Sequence, residues 1–317
     1  MKKDKRIQDI LFIDDTNIAL KIARVYFKND DIAIRLIGNG TNNMNFLATA
    51  PQGKIVVKLS FASKEHRALD DYKKEEWCIQ KAQSVHVPVP KVLDLGVFEG
   101  RAYMIMSLVP GIDGNKIENH ISIYHKVGGY LKRIHQISVK NFGDTLINYE
   151  KDEFRDSWKK YLTYNISSLN LDDELLSRQI ISAQESQAIR EIFIRLQEKK
   201  FIFGLSHGDS TLENVLVDGD SVHLIDWGTA EAHVVPHFDI IRLLRQQDEE
   251  GIPNDEEFYA FLSGLGITEK EYHDSLEREI HEIRLLISID KLRWAVDKSP
   301  DNVDYYTNRF EKILKRV

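Results

Sequence analysis

The stretch LSHGDSTLENVLVDGDSVHLIDWG, Leu205 to Gly228, decides how this chain is read. Two β-rich runs, Val215 to Val217 and Val222 to Ile225, flank Asp218-Gly219-Asp220, a turn whose glycine can take positive φ. A regular hairpin centred on Asp220 sets Asn214 directly opposite Asp226. Side chains so placed share a face with Cβ atoms roughly 5 Å apart, within reach of one cation. An amide oxygen and a carboxylate are hard ligands suited to Mg²⁺, which is usually held by one or two carboxylates plus substrate phosphates. Asp209 enters the hairpin from the loop before it. There it can orient a hydroxyl and accept its proton, the part that phosphoryl transfer asks of a carboxylate.

The order His207-Gly208-Asp209, four residues, Asn214, then Ile225-Asp226-Trp227-Gly228 resembles the catalytic and metal-binding segments of the aminoglycoside phosphotransferase and choline kinase-like superfamily. These are small-molecule relatives of protein kinases. The resemblance implies an α+β, two-lobed protein-kinase-like fold, with a small antiparallel-sheet N-lobe and a larger, mainly helical C-lobe. By the same resemblance Asp209 is the catalytic base, and Asn214 and Asp226 are the magnesium ligands. His207 is expected to organise the loop, because the aspartate already supplies the base.

Upstream, IAIRLI (32–37), FLATA (46–50) and KIVVKLS (54–60) read as strands, with Pro51-Gln52-Gly53 as the turn between the last two. Ser63 to about Ser84 is helical in pattern and stops at HVPVP, where each proline biases its predecessor away from the helix. KVLDLGVFEG and RAYMIMSLV make a further antiparallel pair joined near Glu99 and Gly100. About five strands and one long helix therefore precede residue 110. Lys58 resembles the family's third-strand lysine, which a helix glutamate holds; Glu75 is favoured, and its neighbour Glu76 leaves the choice open. GNGTNN lies where a phosphate-covering loop belongs but lacks the full G-x-G-x-x-G pattern, so backbone donors from Gly40, Thr41 and Asn42 are expected there. MIMSLVPG matches the strand and linker that contact adenine, which puts Ser107, Leu108 and Val109 beside the base.

PGIDGN (110–115) reads as a hinge, dividing a nucleotide-binding lobe, 1–109, from a catalytic and acceptor-binding lobe, 110–317. Helical patterns follow over roughly 119–138, 153–166, 174–198, 238–247, 254–262, 270–290 and 302–315. Tyr272, Leu276, Ile280, Ile283 and Ile287 form an apolar stripe in the sixth of these. LKRIHQI resembles the family's helix ending in L-x-x-x-H, with His135 stabilising the lobe. Asp239, in PHFDIIRLL, resembles the aspartate that braces the catalytic loop through backbone hydrogen bonds; an N-cap is the structural alternative.

The 317 residues are 42% hydrophobic and 29% charged, the make-up of an ordinary globular protein. A net charge of −7 argues against a nonspecific nucleic-acid binder. A single cysteine, Cys78, excludes an internal disulfide and a cysteine-based metal cluster, and it fits a reducing compartment. The start MKKDKR is basic but leads into IQDILFIDD, too short and too acidic for the apolar core of a signal peptide, and no stretch approaches the roughly 20 apolar residues of a membrane span. A cytoplasmic protein without membrane attachment is expected. The acidic run Asp248 to Glu257 has two readings, attraction of a polycationic acceptor or a solvated face.

The resulting expectation is a Mg²⁺-dependent phosphotransferase that moves the γ-phosphate of ATP or GTP to a hydroxyl of a small molecule, aminoglycoside-like or amino-alcohol-like. A catalytically inactive kinase-like nucleotide-binding or regulatory protein is the alternative. Nothing between Trp227 and Asp239 resembles a long activation segment ending in Ala-Pro-Glu, which disfavours protein substrates.

Overall fold

The computed structural model describes residues 5–40, 43–62, 65–139, 154–170 and 172–317. In chain order they form α1 (Lys5–Phe27), β1 (Ala33–Asn39), β2 (Asn43–Ala50), β3 (Gly53–Ser60), α2 (Glu65–Ser84), β4 (Val92–Phe98), β5 (Arg101–Ser107) and β6 (Ile112–Asp113). Next come α3 (His120–Ile134), α4 (Phe154–Ser168), α5 (Glu174–Ser177), α6 (Ala183–Glu198), β7 (Phe203–Ser206), β8 (Val215–Asp218) and β9 (Ser221–Leu224). The chain continues through β10 (Glu231–Val234), α7 (His237–Glu250), α8 (Asp255–Leu265), α9 (Glu269–Glu271), α10 (Glu277–Lys298) and α11 (Val303–Leu314). Two compact units result: Met1–Glu118 with Leu212–Gly228, and Asn119–Thr211 with Thr229–Val317.

In the first unit, an antiparallel sheet of order β1-β2-β3-β5-β4 is covered on both faces. Strand side chains alternate, so one face of β3 sends Ile55, Val57 and Leu59 into a core with Phe46, Ile105 and the Ile18, Ala19, Ile22 and Ala23 side of α1. The other face meets α2 through Ala68, Tyr72, Ala102 and Met104. That alternation is what turns Lys58 toward α2 and away from α1. The five expected strands form, with Pro51-Gln52-Gly53 between β2 and β3. Besides the two-residue β6, α1 is the element of this unit that the sequence reading lacks. Its buried face spends two of four positions on alanine, which gives a helical stripe little hydrophobic contrast.

The short sheet β6-β8-β9 also belongs to this unit, and it corrects the hairpin register. The ladder pairs Val215 with Leu224 and Asp218 with Ser221, so its centre falls between Gly219 and Asp220. Asn214 therefore faces Ile225, whose N–H donates to the Asn214 carbonyl at 2.9 Å. Asp226 lies one residue beyond. Because a two-residue loop, not a turn centred on one residue, closes the hairpin, the two proposed metal ligands are not cross-strand partners.

The second unit is built of helices around the β7-β10 pair. α3 and α8 cross closely because Gly128 and Gly264 face each other's backbone, where any Cβ would overlap. The single helix expected over 174–198 is broken. Gln179 takes φ +59 and Ser182 starts α6 with a capping box to Glu185, an S-x-x-E signal present in the sequence. α10 also departs from the expected stripe: from Ile280 to Leu286 every residue is buried, His281, Glu282 and Arg284 included. A helix packed all round shows no single apolar face. The acidic run is largely spent on structure. Asp248 pairs with Arg284 and Arg316, Glu249 with Arg309, and Glu257 with His120 while closing the capping box of α8. Among the described residues, no helix is long and apolar enough to cross a membrane.

Candidate active site

Within the first unit, three charged side chains converge. Lys58 Nζ donates to Glu75 Oε1 at 2.7 Å and Oε2 at 2.8 Å, and to Asp226 Oδ1 at 3.3 Å. Lys58 and Glu75 are almost fully buried, whereas the Asp226 side chain is 55% exposed. Of the two neighbouring glutamates, Glu75 reaches the lysine; Glu76 accepts from Gln80 one turn along the exposed side of α2. Burial alone would depress the Lys58 ammonium, but Glu75 and then Asp226 together hold it above its ordinary value. Tyr72, one turn before Glu75, lies under the ammonium with its ring centroid 5.8 Å away.

Asp226 sits at φ +57, in the left-handed region that a non-glycine residue rarely occupies. The conformation lies two residues past the end of β9. It is secured on its C-terminal side, where the fully buried Trp227 donates Nε1–H to the Leu224 carbonyl at 3.3 Å. Lys74 of α2 holds the Gly228 carbonyl at 3.0 Å. Asn214 closes a 3₁₀ turn, Leu212–Asn214, and is half-buried.

Gly40 donates its N–H to the Asn43 carbonyl at 3.0 Å, so that amide closes the β1–β2 turn. Thr41 and Asn42 lie outside the described residues. Ser107 ends β5, its N–H bonded to the Lys91 carbonyl and its Oγ accepting from Lys91 N–H, each at 2.8 Å. Leu108 is exposed and Val109 half-buried just after it.

In the second unit the loop carrying Asp209 is braced through its backbone. Gly208 takes φ +76, and a Cβ there would stand 2.6 Å from the Thr229 carbonyl oxygen. Its N–H donates to Asp239 Oδ1 at 2.9 Å, and Asp239 Oδ2 meets His135 Nε2 at 2.8 Å. Burial pushes the Asp239 carboxyl upward, but the His135 hydrogen bond, the His135 charge and the Gly208 N–H outweigh it and hold it below the usual value. Asp239 lies in the first turn of α7, after Pro236 at the cap, so its role is the brace and not the N-cap. His207 is fully buried; its Nδ1 accepts from the Asp209 N–H at 3.3 Å and its carbonyl accepts from Thr229 Oγ1 at 3.2 Å. One contact the sequence reading lacks is Arg242, whose Nε donates to the Gly208 carbonyl.

Residues 33–275 match the phosphotransferase enzyme family, APH. No curated protein sequence matches the chain. Among solved structures, aminoglycoside phosphotransferase APH(4)-Ia is similar with a TM-score of 0.66 at 17% identity, over 94% of this chain and 98% of that one. A thermostable mutant of that enzyme, in a ternary complex with AMP-PNP and hygromycin B, gives 0.66 at 16% over 93% and 97%. The gentamicin complex of APH(2'')-IIa gives 0.59 at 18% over 94% and 96%. At such identities the likeness to solved structures speaks for the fold, which is the kinase-like fold of aminoglycoside phosphotransferases. The family match spans most of the chain, and by it this protein belongs to the phosphotransferase enzyme family.

Proposed function

We propose that the chain is a Mg²⁺-dependent small-molecule O-phosphotransferase that moves the γ-phosphate of ATP or GTP to an acceptor hydroxyl. The observation that carries this reading is the Lys58, Glu75 and Asp226 cluster. A buried ammonium is fixed by one buried carboxylate and shared with a second carboxylate that is exposed and held in a strained conformation. A structural ion pair has no need of the third, exposed member. A phosphate-binding lysine beside a metal-binding aspartate does.

The donor set fits magnesium. Asp226 and Asn214 offer hard oxygens with too few protein ligands for a closed cage, as expected where substrate phosphates complete the shell. When bound, the cation would neutralise charge on the phosphate oxygens. In this assignment Lys58 binds the nucleotide phosphates and Glu75 keeps its ammonium in place. Gly40, Thr41 and Asn42 are assigned to the phosphates, and Ser107, Leu108 and Val109 to the base. Asp209 orients the acceptor hydroxyl and accepts its proton. In the same reading residues 1–109 serve the nucleotide, and 110–317 supply the magnesium ligands, the base and the acceptor site, in a cytoplasmic enzyme.

Similar structures carry AMP-PNP with hygromycin B, or gentamicin, which supports a nucleotide donor and an aminoglycoside-like acceptor; an amino-alcohol-like acceptor is the other class to test. The test is phosphoryl transfer from ATP and GTP, with Mg²⁺, across aminoglycosides, amino alcohols, homoserine and small sugars. Acceptor-dependent formation of a phosphorylated product supports the reading. Nucleotide binding with no transfer to any acceptor and no hydrolysis would favour an inactive kinase-like protein.

A further inference from the structure

The peptide that joins Gly208 to Asp209 is gripped at both ends. Its carbonyl accepts from Arg242 Nε, and its N–H donates to His207 Nδ1. The preceding N–H, that of Gly208, goes to Asp239. Asp239 and Arg242 lie on the same face of α7, so one helical turn takes both the N–H and the carbonyl of Gly208. With φ +76 at Gly208, nothing in local propensity holds this plane where it is. On its carbonyl side the grip comes from α7.

Arg242 is placed to do more than bond a carbonyl. Its guanidinium lies over the Phe238 ring, 5.8 Å from the centroid, and Phe238 in turn stacks on His233 at 3.9 Å and 14°. The planar group is therefore clamped against an aromatic pair. Burial works against its charge, and among the charges acting on it Asp209 is the most favourable, ahead of Glu231 and Asp239, with Arg245 opposed. An apolar or neutral side chain would satisfy the aromatic contact at no desolvation cost. The fold keeps a cation here, next to the carbonyl that leads directly into Asp209.

We propose that Arg242 is a positioning residue for Asp209: it fixes the Gly208–Asp209 peptide, so that the base is presented in one orientation. This rests on Asp209 being the base. A carboxylate that must meet one hydroxyl loses on the order of a hundredfold in rate from a displacement of about 1 Å, while nucleotide binding need not change.

The experiment compares Arg242→Ala, Arg242→Lys and Asp209→Asn with the native chain. ADP release from Mg-ATP is followed with hygromycin B or gentamicin as acceptor or, where neither is phosphorylated, with water. ADP affinity and Tm are measured alongside. Arg242→Ala is expected to lower kcat roughly 10- to 100-fold, with ADP affinity within about twofold of native, and millimolar guanidinium should restore part of the lost rate. Arg242→Lys keeps charge but not the fork geometry and should lie between. If the alanine variant fails to fold, the lysine variant carries the test through reduced kcat at unchanged ADP affinity and Tm. Native kcat in either variant overturns the proposal, and so does a joint fall of kcat, ADP affinity and Tm that guanidinium does not rescue. Asp209→Asn separates the two layers. If it turns over normally, the base assignment fails and Arg242 with it; if it is inactive while Arg242→Ala is native-like, only the Arg242 inference fails. A native chain that releases no ADP removes the ground of both.

Discussion

The Lys58 cluster and the Gly208 loop are both built on buried charge, yet they are held in opposite ways. Around Lys58 the contacts run from side chain to side chain, and one member, Asp226, stays exposed. Around Gly208 they run from side chain to backbone, and Asp239 and His207 are sealed from solvent. The first arrangement leaves charge available to a ligand. The second spends its charge on fixing a main-chain shape, so the two regions should fail differently when altered.

The largest stability effect is expected at Asp239. Asp239→Ala leaves the Gly208 N–H and His135 without their buried partner and should cost about 3–5 kcal/mol, the scale of breaking a buried pair; chemical denaturation checks it. A cost under about 1 kcal/mol would mean that the brace is decorative. Gly208→Ala should cost about 1–3 kcal/mol for left-handed backbone strain, with more from the close Thr229 carbonyl, and should reduce turnover with it. At Asp226 the contrast should reverse. Asp226→Ala is expected to shift Tm little, since the side chain is exposed, while weakening Mg-nucleotide affinity at least about tenfold, which calorimetric titration reads directly. Unchanged affinity would return Asp226 to a structural ion pair.

The smallest effect is read by pH at Asp239. Asp239 is held below its ordinary value of 3.8, so the stability it supplies is fully present above that value and is lost as pH falls through the lower, folded value. In acid unfolding below pH 3.8, Asp239→Asn should therefore show a shallower loss than the native chain.

What the sequence makes legible follows from how local each signal is. Lys58, Asp209, Asn214 and Asp226 stand in short runs of fixed order, and the alternation of β3 is enough to turn Lys58 away from α1 and toward Glu75. The hairpin register escapes such a reading because one residue decides whether a turn centres on an atom or on a bond, and composition does not fix that choice. α1 is hidden behind its alanines, and α10 because burial on all sides erases periodicity. Arg242 lies beyond a linear reading for another reason. Its partner is a backbone carbonyl 34 residues earlier, a group with no signature in sequence.

The central claim is that Asp209 is the base and the Lys58 cluster binds nucleotide without it. The most direct measurement pairs two numbers on Asp209→Asn: its affinity for Mg-nucleotide and its rate of phosphoryl transfer. Native affinity with turnover reduced by about 10²- to 10⁴-fold is the predicted result. Turnover close to that of the native chain would contradict it.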